Sequence, residues 1–186
     1  MRVFIGIKLN DSVKEEINKA LKPFKKISTP VKWVIAENIH LTLKFIGEIS
    51  EGKYLQVKES LTNNNFNISP FNLKILNLGK FGRGNSINVL WAGIENNNEL
   101  KTLFKEIENR LEKINIKKDT REFKPHITLG RNKKQFNFKA FFKLLDKYNN
   151  HFISETKVDN FQIFKSELSY SGPTHTILKE IPIATR

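Results

Sequence analysis

Two short stretches carry the same side chains at the same spacing: His40-Leu41-Thr42-Leu43 and His126-Ile127-Thr128-Leu129. The chain has 4 His in 186 residues, so two of them falling into one pattern is not what random placement produces. In an extended segment residues i and i+2 point to one face. Each motif therefore sets an imidazole beside a hydroxyl, while the Leu and Ile positions between them turn to an apolar face. Taken singly, a His or Thr on a half-buried strand is an ordinary satisfied polar residue. Two copies in the two halves of a chain can instead face each other across a pseudo-two-fold axis, with one small ligand between two imidazoles. Displacement at phosphorus needs that arrangement. The attacking and leaving oxygens lie roughly in line, so one group must accept a proton on one side while another supplies one on the other. Imidazole can do either near neutrality, and the hydroxyls of Thr42 and Thr128 would donate to the non-bridging oxygens where charge collects.

Around this pair the alternation assigns further roles. Lys44 follows Thr42 at i+2 and so falls on the face of His40 and Thr42, in reach of substrate, with Phe45 turned to the core. Arg131 falls opposite Thr128 unless the strand bulges at Gly130, which glycine permits. His175 alternates with Ile177 and Ile181 and reads as structural or peripheral, His151 as a loop residue, and Trp33 as a packing aromatic, the alternative for it being to stack on a base.

The elements that must hold these residues follow from periodicity. Val3, Ile5, Ile7 and Leu9 make a first strand, and Ser12-x-x-Glu15 resembles a capping box opening a helix with Val13, Ile17, Leu21 and Phe24 inward. Pro23 and Pro30 are expected to close it before Val31 to Ile35 extends again. A strand over Ile39 to Ile46 ends at Gly47, and Ser50 caps a helix burying Tyr54, Val57 and Leu61. The polar stretch Thr62 to Pro70 separates the halves. Phe71 to Leu78 and Ile87 to Ile94 form a hairpin around a turn at Gly79 to Asn85 containing Gly82-Arg83-Gly84. Asn97 or Asn98 caps the clearest amphipathic helix, with Leu100, Leu103, Phe104, Ile107, Leu111 and Ile114. A strand over Phe123 to Arg131, a helix with Phe138, Phe141, Phe142, Leu145 and Tyr148, and strands over Phe152 to Phe164 and His175 to Ile183 complete an α+β chain with mainly antiparallel sheet.

Composition narrows the chemistry. The chain has no cysteine, which removes disulfides, thiolate metal sites and a cysteine nucleophile. Apolar residues make up 39% with 15 Phe, enough for one core, and no apolar run is long enough to span a bilayer. Met1 to Leu9 already alternates like a strand, so neither a cleaved leader nor a membrane anchor is expected, and the location expected is cytoplasmic. The balance of 32 basic against 19 acidic residues, a net +13, favours polyanionic partners such as nucleic acid. Lysine-rich surfaces also arise from solubility or an AT-rich genome, but Lys117, Lys118, Arg121, Lys124, Arg131, Lys133, Lys134 and Lys139 gather around the second motif. A metal site built from His40, His126 and His175 would lack carboxylate partners and give the repeated Thr no purpose.

With these motifs the chain resembles the 2H phosphoesterases, defined by two His-x-Thr/Ser motifs on facing strands. Within them it is similar to the RNA 2′,3′-cyclic phosphodiesterase branch, also called 2′-5′ RNA ligase. The similarity rests on Arg2 to Ile7, Asn38 to Gly47, Val89 to Ile94, Lys124 to Arg131 and Ser166 to Pro173. It implies a bilobal α+β fold, a single domain over 1–186 whose two mainly antiparallel sheets face a central cleft, helices outside, with pseudo-two-fold internal duplication. It also implies a monomer that opens 2′,3′-cyclic phosphates at RNA ends, or cyclic nucleotides, without cofactor or metal, and joins RNA halves reversibly as a side activity. His40 and His126 would be the acid–base pair, Thr42 and Thr128 phosphate donors, and Arg131 a further cation. The 3′ oxygen would leave, His40 protonating it while His126 activates water, to give a 2′-phosphate. His175 stands where that branch commonly has Tyr. A non-catalytic binder of RNA ends is the rival reading; it would need hydroxyls and cations but not two imidazoles.

Overall fold

Period-two stretches become strands and period-3.6 stretches become helices in the computed structural model of the chain, which describes residues 1–27, 29–63, 66, 68–83, 86–132, 139–169 and 172–183. Gly84, Lys133, Lys134 and Phe138 lie outside the described residues. The first half holds strand β1 (Arg2–Lys8), helix α1 (Asp11–Lys25), the short strand β2 (Lys32–Trp33), a 3-10 turn over Ala36–Asn38, strand β3 (His40–Glu48) and helix α2 (Glu51–Thr62). Next come β4 (Phe71–Phe81), β5 (Val89–Ile94), α3 (Asn98–Glu112), β6 (His126–Arg131), α4 (Lys139–Asp146), β7 (Phe152–Val158), β8 (Asn160–Ser169) and β9 (Gly172–Pro182).

The strands run in the order β7-β4-β5-β6-β3-β1-β8-β9, with β2 added beside β6, and the pairings are antiparallel. The order falls into two quartets, β7-β4-β5-β6 and β3-β1-β8-β9, whose seam is the pairing of Leu41 with Ile127. Each quartet thus presents its motif strand at the seam. Apolar residues of the motif strands, Leu41, Leu43, Ile127 and Leu129, are buried together with the inward stripes of α1 and α3. Val13, Ile17, Leu21 and Phe24 on α1 are all 0% exposed, at roughly 1.5–3 kcal/mol for each such side chain. No helix among the described residues is long and apolar enough to cross a membrane.

Several boundaries differ from the sequence expectation. Helix α1 starts two residues earlier than the Ser12 box implies, because the Asn10 side chain accepts from the Val13 amide at 2.9 Å and Ser12 donates to Asn10. Pro23 lies inside this helix and does not end it. Strand β4 runs through Gly79 to Phe81, because the Trp91 ring lies flat across Gly79, where any Cβ would come within 2.2 Å of it. The expected strand over 152–164 is two strands that turn at Asp159, and β6 begins only at His126. The Ser50 and Asn97 caps are made as expected, to the amides of Lys53 and Leu100.

Candidate active site

The seam dictates the geometry of the two motifs. Leu41 opposes Ile127 in antiparallel register; continued by one residue each way, that register sets His40 against Thr128 and Thr42 against His126. All four side chains then share the face opposite to Leu41 and Ile127, which sets the two histidines on one side of the seam.

Both imidazoles are fixed in the same way. In each motif the ring Nδ1 lies 2.7 Å from the carbonyl oxygen two residues earlier, Asn38 for His40 and Lys124 for His126. A carbonyl only accepts, so Nδ1 carries the hydrogen and Nε2 is left to exchange protons. The His40 Nε2 is met by the Thr42 Oγ1 at 3.0 Å, the hydroxyl donating to the neutral ring. His40 is walled by Phe4 at 4.8 Å and His175 at 5.1 Å between ring centroids, with Phe164 behind. Gly6 passes under it; a Cβ there would lie 3.5 Å from His40 Cδ2 and 2.8 Å from the Leu41 oxygen. His126 stands edge-on to Phe81 at 4.9 Å, and Phe81 rests on Trp91. The carbonyl that holds His126 belongs to the segment anchored by Phe123, whose ring stacks on Phe104 of α3 at 4.0 Å.

Arg131 reaches this face through a bulge. Leu90 pairs with Gly130 and Trp91 with Thr128, which leaves Leu129 as the additional residue. Leu129 and Gly130 are both buried, and Arg131 emerges exposed on the His126 and Thr128 side. Its charge acts on His40, as that placement requires.

Lys44 does not follow strict alternation. Ile5 pairs with Lys44 and Gly6 with Thr42, so Leu43 is the extra residue of a second bulge. The bulge turns Lys44 inward, where its Nζ lies 2.7 Å from Glu108 Oε1 on α3, both side chains 5% exposed, and donates to the Lys117 carbonyl. The same bulge brings Phe45 out: it pairs with Phe4, is 51% exposed and carries the Arg2 guanidinium 4.9 Å above its ring. The expected roles of these two neighbours are therefore exchanged, Lys44 being buried and Phe45 exposed. His175 is drawn in from the far end of the chain by the pairing of β8 with β9 and by Asn38, whose side-chain amide donates to the Pro173 carbonyl. Its Nδ1 is buried.

Comparison with known proteins decides the family. The model described as LigT like Phosphoesterase matches residues 7–91 and 93–175, a span that includes both motifs and His175. The chain belongs to the LigT-like phosphoesterases. Among relatives of this family, the RNA 2′,3′-cyclic phosphodiesterase of Methanocaldococcus jannaschii is 38% identical over 97% of this chain and 99% of its own length. The protein of the same name from Thermotoga maritima is 34% identical over 97% and 94%. In three dimensions the LigT-like fold of this chain superimposes on Escherichia coli LigT complexed with 3′-AMP with a TM-score of 0.79, at 23% identity over 99% and 98% of the two chains.

In this LigT-like site the electrostatics of His40 have a measurable consequence. Burial, aided by the charges of His175 and Arg131 and opposed by the Asn38 hydrogen bond, lowers its pKa from 6.5 to about 4. The folded protein therefore keeps the ring neutral where the unfolded chain would protonate it. Above pH 6.5 neither state holds the proton; as pH falls below 6.5 the unfolded state binds it first, and stability is lost until about pH 4. The expected difference in pH-linked stability between wild type and His40→Ala, from pH 7.5 to pH 4.5, is about 2–3 kcal/mol. Urea unfolding at the two pH values measures it, and parallel losses in both proteins would show that His40 is not held neutral by the fold.

Proposed function

We propose that this protein hydrolyses 2′,3′-cyclic phosphates at RNA ends to 2′-phosphomonoesters by two-histidine acid–base catalysis. The observation that carries the reading is the seam itself: two imidazoles with matching Nδ1 anchors, on neighbouring antiparallel strands, with a threonine hydroxyl beside each. The names of the relatives and the basic surface support the choice of RNA.

In the proposed reaction the cyclic phosphate lies between the rings, with Thr42, Thr128 and Arg131 at its non-bridging oxygens. Water attacks phosphorus from the His126 side and gives its proton to that Nε2. The bond from phosphorus to the 3′ oxygen breaks in line, and the departing oxygen takes a proton from His40. Because His40 is neutral in the empty site, it must acquire that proton together with the substrate; the phosphate anion counters the Arg131 charge and makes this favourable. A 5′-hydroxyl taking the place of water in the same steps would join two RNA halves through a 2′-5′ linkage, and the reverse of that reaction would cleave the linkage and restore the cyclic phosphate.

The test is incubation of the protein with a 2′,3′-cyclic mononucleotide and with a short RNA ending in a cyclic phosphate, in excess EDTA, with products separated against authentic standards. The expected result is a 2′-monophosphate formed at an undiminished rate, since imidazoles and hydroxyls do the work. A 3′-monophosphate would overturn the assigned leaving oxygen, a requirement for added metal would overturn the two-histidine mechanism, and binding without turnover would leave a binder of RNA ends.

A further inference from the structure

The bulge that turns Arg131 into the cleft brings a second cation with it. Lys32 on β2 pairs directly with Arg131, and Trp33 with Gly130. Residues directly opposed in an antiparallel pair share a face. Trp33 and Gly130 turn to the core, where Val31 lies against Gly130. Lys32 and Arg131 therefore project together from the cleft face, on strands about 5 Å apart, and both are exposed.

Two like charges set directly opposite each other in a sheet are unfavourable. Natural sheets usually place an acid in one of the two positions or near it, yet neither side chain takes part in an ion pair among the described residues. Other exposed cations do meet a carboxylate, among them Lys19, Lys74, Lys118, Arg121, Lys124 and Lys165, and none of these stands directly opposite a second cation in the sheet. An uncompensated double cation next to a phosphate site suits two anions side by side. Arg131 is within electrostatic reach of His40 and belongs to the reacting phosphate; Lys32 stands directly opposite Arg131 on β2, on the edge of β6 that also carries β3.

We propose that Lys32 is a subsite for the phosphodiester immediately 5′ of the terminal nucleotide, so that the enzyme distinguishes an RNA end from a free cyclic nucleotide. The proposal rests on the function read from the histidine pair. A cyclic mononucleotide has no second phosphate and gains nothing from Lys32. A dinucleotide ending in a cyclic phosphate has one, and so does every longer RNA. The contact is electrostatic and independent of base, which fits recognition of an RNA end of any sequence.

The experiment compares wild type with Lys32→Gln on three substrates: a 2′,3′-cyclic mononucleotide, a dinucleotide ending in a 2′,3′-cyclic phosphate, and the same dinucleotide with an uncharged methylphosphonate at the internal linkage. Lys32→Gln is expected to lower kcat/KM for the charged dinucleotide about fivefold, chiefly through KM, and to lessen the slope of log affinity against log salt by roughly 0.7. For the mononucleotide and the methylphosphonate the two proteins should agree within about twofold. Unchanged kinetics on the charged dinucleotide would overturn the proposal, as would an equal loss on all three substrates, which would place Lys32 at the reacting phosphate or in the fold. If wild type turned over none of the three, the functional reading would fall and the subsite with it.

Discussion

Replacing either His40 or His126 with alanine is expected to lower kcat on a 2′,3′-cyclic phosphate by at least about 10²-fold, the usual scale for a positioned acid or base. The two losses are not additive. Once one proton transfer is missing the other histidine can no longer act in concert, so the double variant should be little worse than the slower single one. The fold should survive, because both rings stand on the open face of the sheet while Leu41, Leu43, Ile127 and Leu129 hold their strands from the opposite side. His175→Ala separates contact from chemistry. Its ring packs edge-on against His40, so its loss would loosen one wall of that imidazole without removing a proposed proton transfer, and a decrease of under about tenfold is expected. Steady-state kinetics at saturating substrate, with circular dichroism to confirm folding, make the comparison. If His175→Ala proved as damaging as His40→Ala, the pair of reacting imidazoles would have to be reassigned.

The placement of His40, Thr42, His126 and Thr128 was legible in the sequence because a period of two survives any sheet topology: whichever strands pair, i and i+2 point the same way. Helices α1 and α3 were legible for the corresponding reason at period 3.6. What alternation cannot see is a bulge. At Gly130 the glycine advertises one, and the rescue of Arg131 onto the cleft face occurs there as expected. At Leu43-Lys44 no glycine marks it, and the inversion of Lys44 and Phe45 follows from the partner strand, where Gly6 must pass beneath His40 while Phe4 and Ile5 keep to opposite faces. His175 reads as peripheral from its neighbours Ile177 and Ile181. Its contact with His40 joins positions 135 residues apart through β1, β3, β8 and β9, and no local spacing encodes that. Lys32 was hidden for the same reason, since its significance lies in facing Arg131. Asn38 and Lys124 serve through backbone carbonyls, which the identity of a side chain does not report.

The largest effect on stability is expected at Lys44 and Glu108, in spite of Lys44 having the sequence signature of a surface residue. The two charges lie 2.7 Å apart with both side chains 5% exposed. Lys44 also donates to the Lys117 carbonyl at 2.8 Å, and the second carboxylate oxygen of Glu108 accepts from the Asp119 amide at 2.9 Å. The pair thus ties three pieces together: the strand of His40, helix α3, and the segment that leads to Lys124 and His126. Bringing two charges out of water is costly, and the pair as a whole need contribute little net stability. Breaking it is a different matter. Lys44→Met strands a buried carboxylate and Glu108→Gln strands a buried ammonium, and each should cost about 3–5 kcal/mol. The double variant Lys44→Met/Glu108→Gln strands neither charge, so it should recover most of that loss, and the interaction energy from the cycle should exceed about 2 kcal/mol. Urea unfolding of the four proteins at pH 7.5 measures it. Activity supplies an independent reading: with the charge pair removed but the fold restored, the segment before His126 loses the bonds to Lys44 and part of those to Glu108, so kcat should remain depressed in the double variant after stability has returned. Single variants that each lost under about 1 kcal/mol would show that water reaches the pair and that the tether between the two motif strands is made by packing alone.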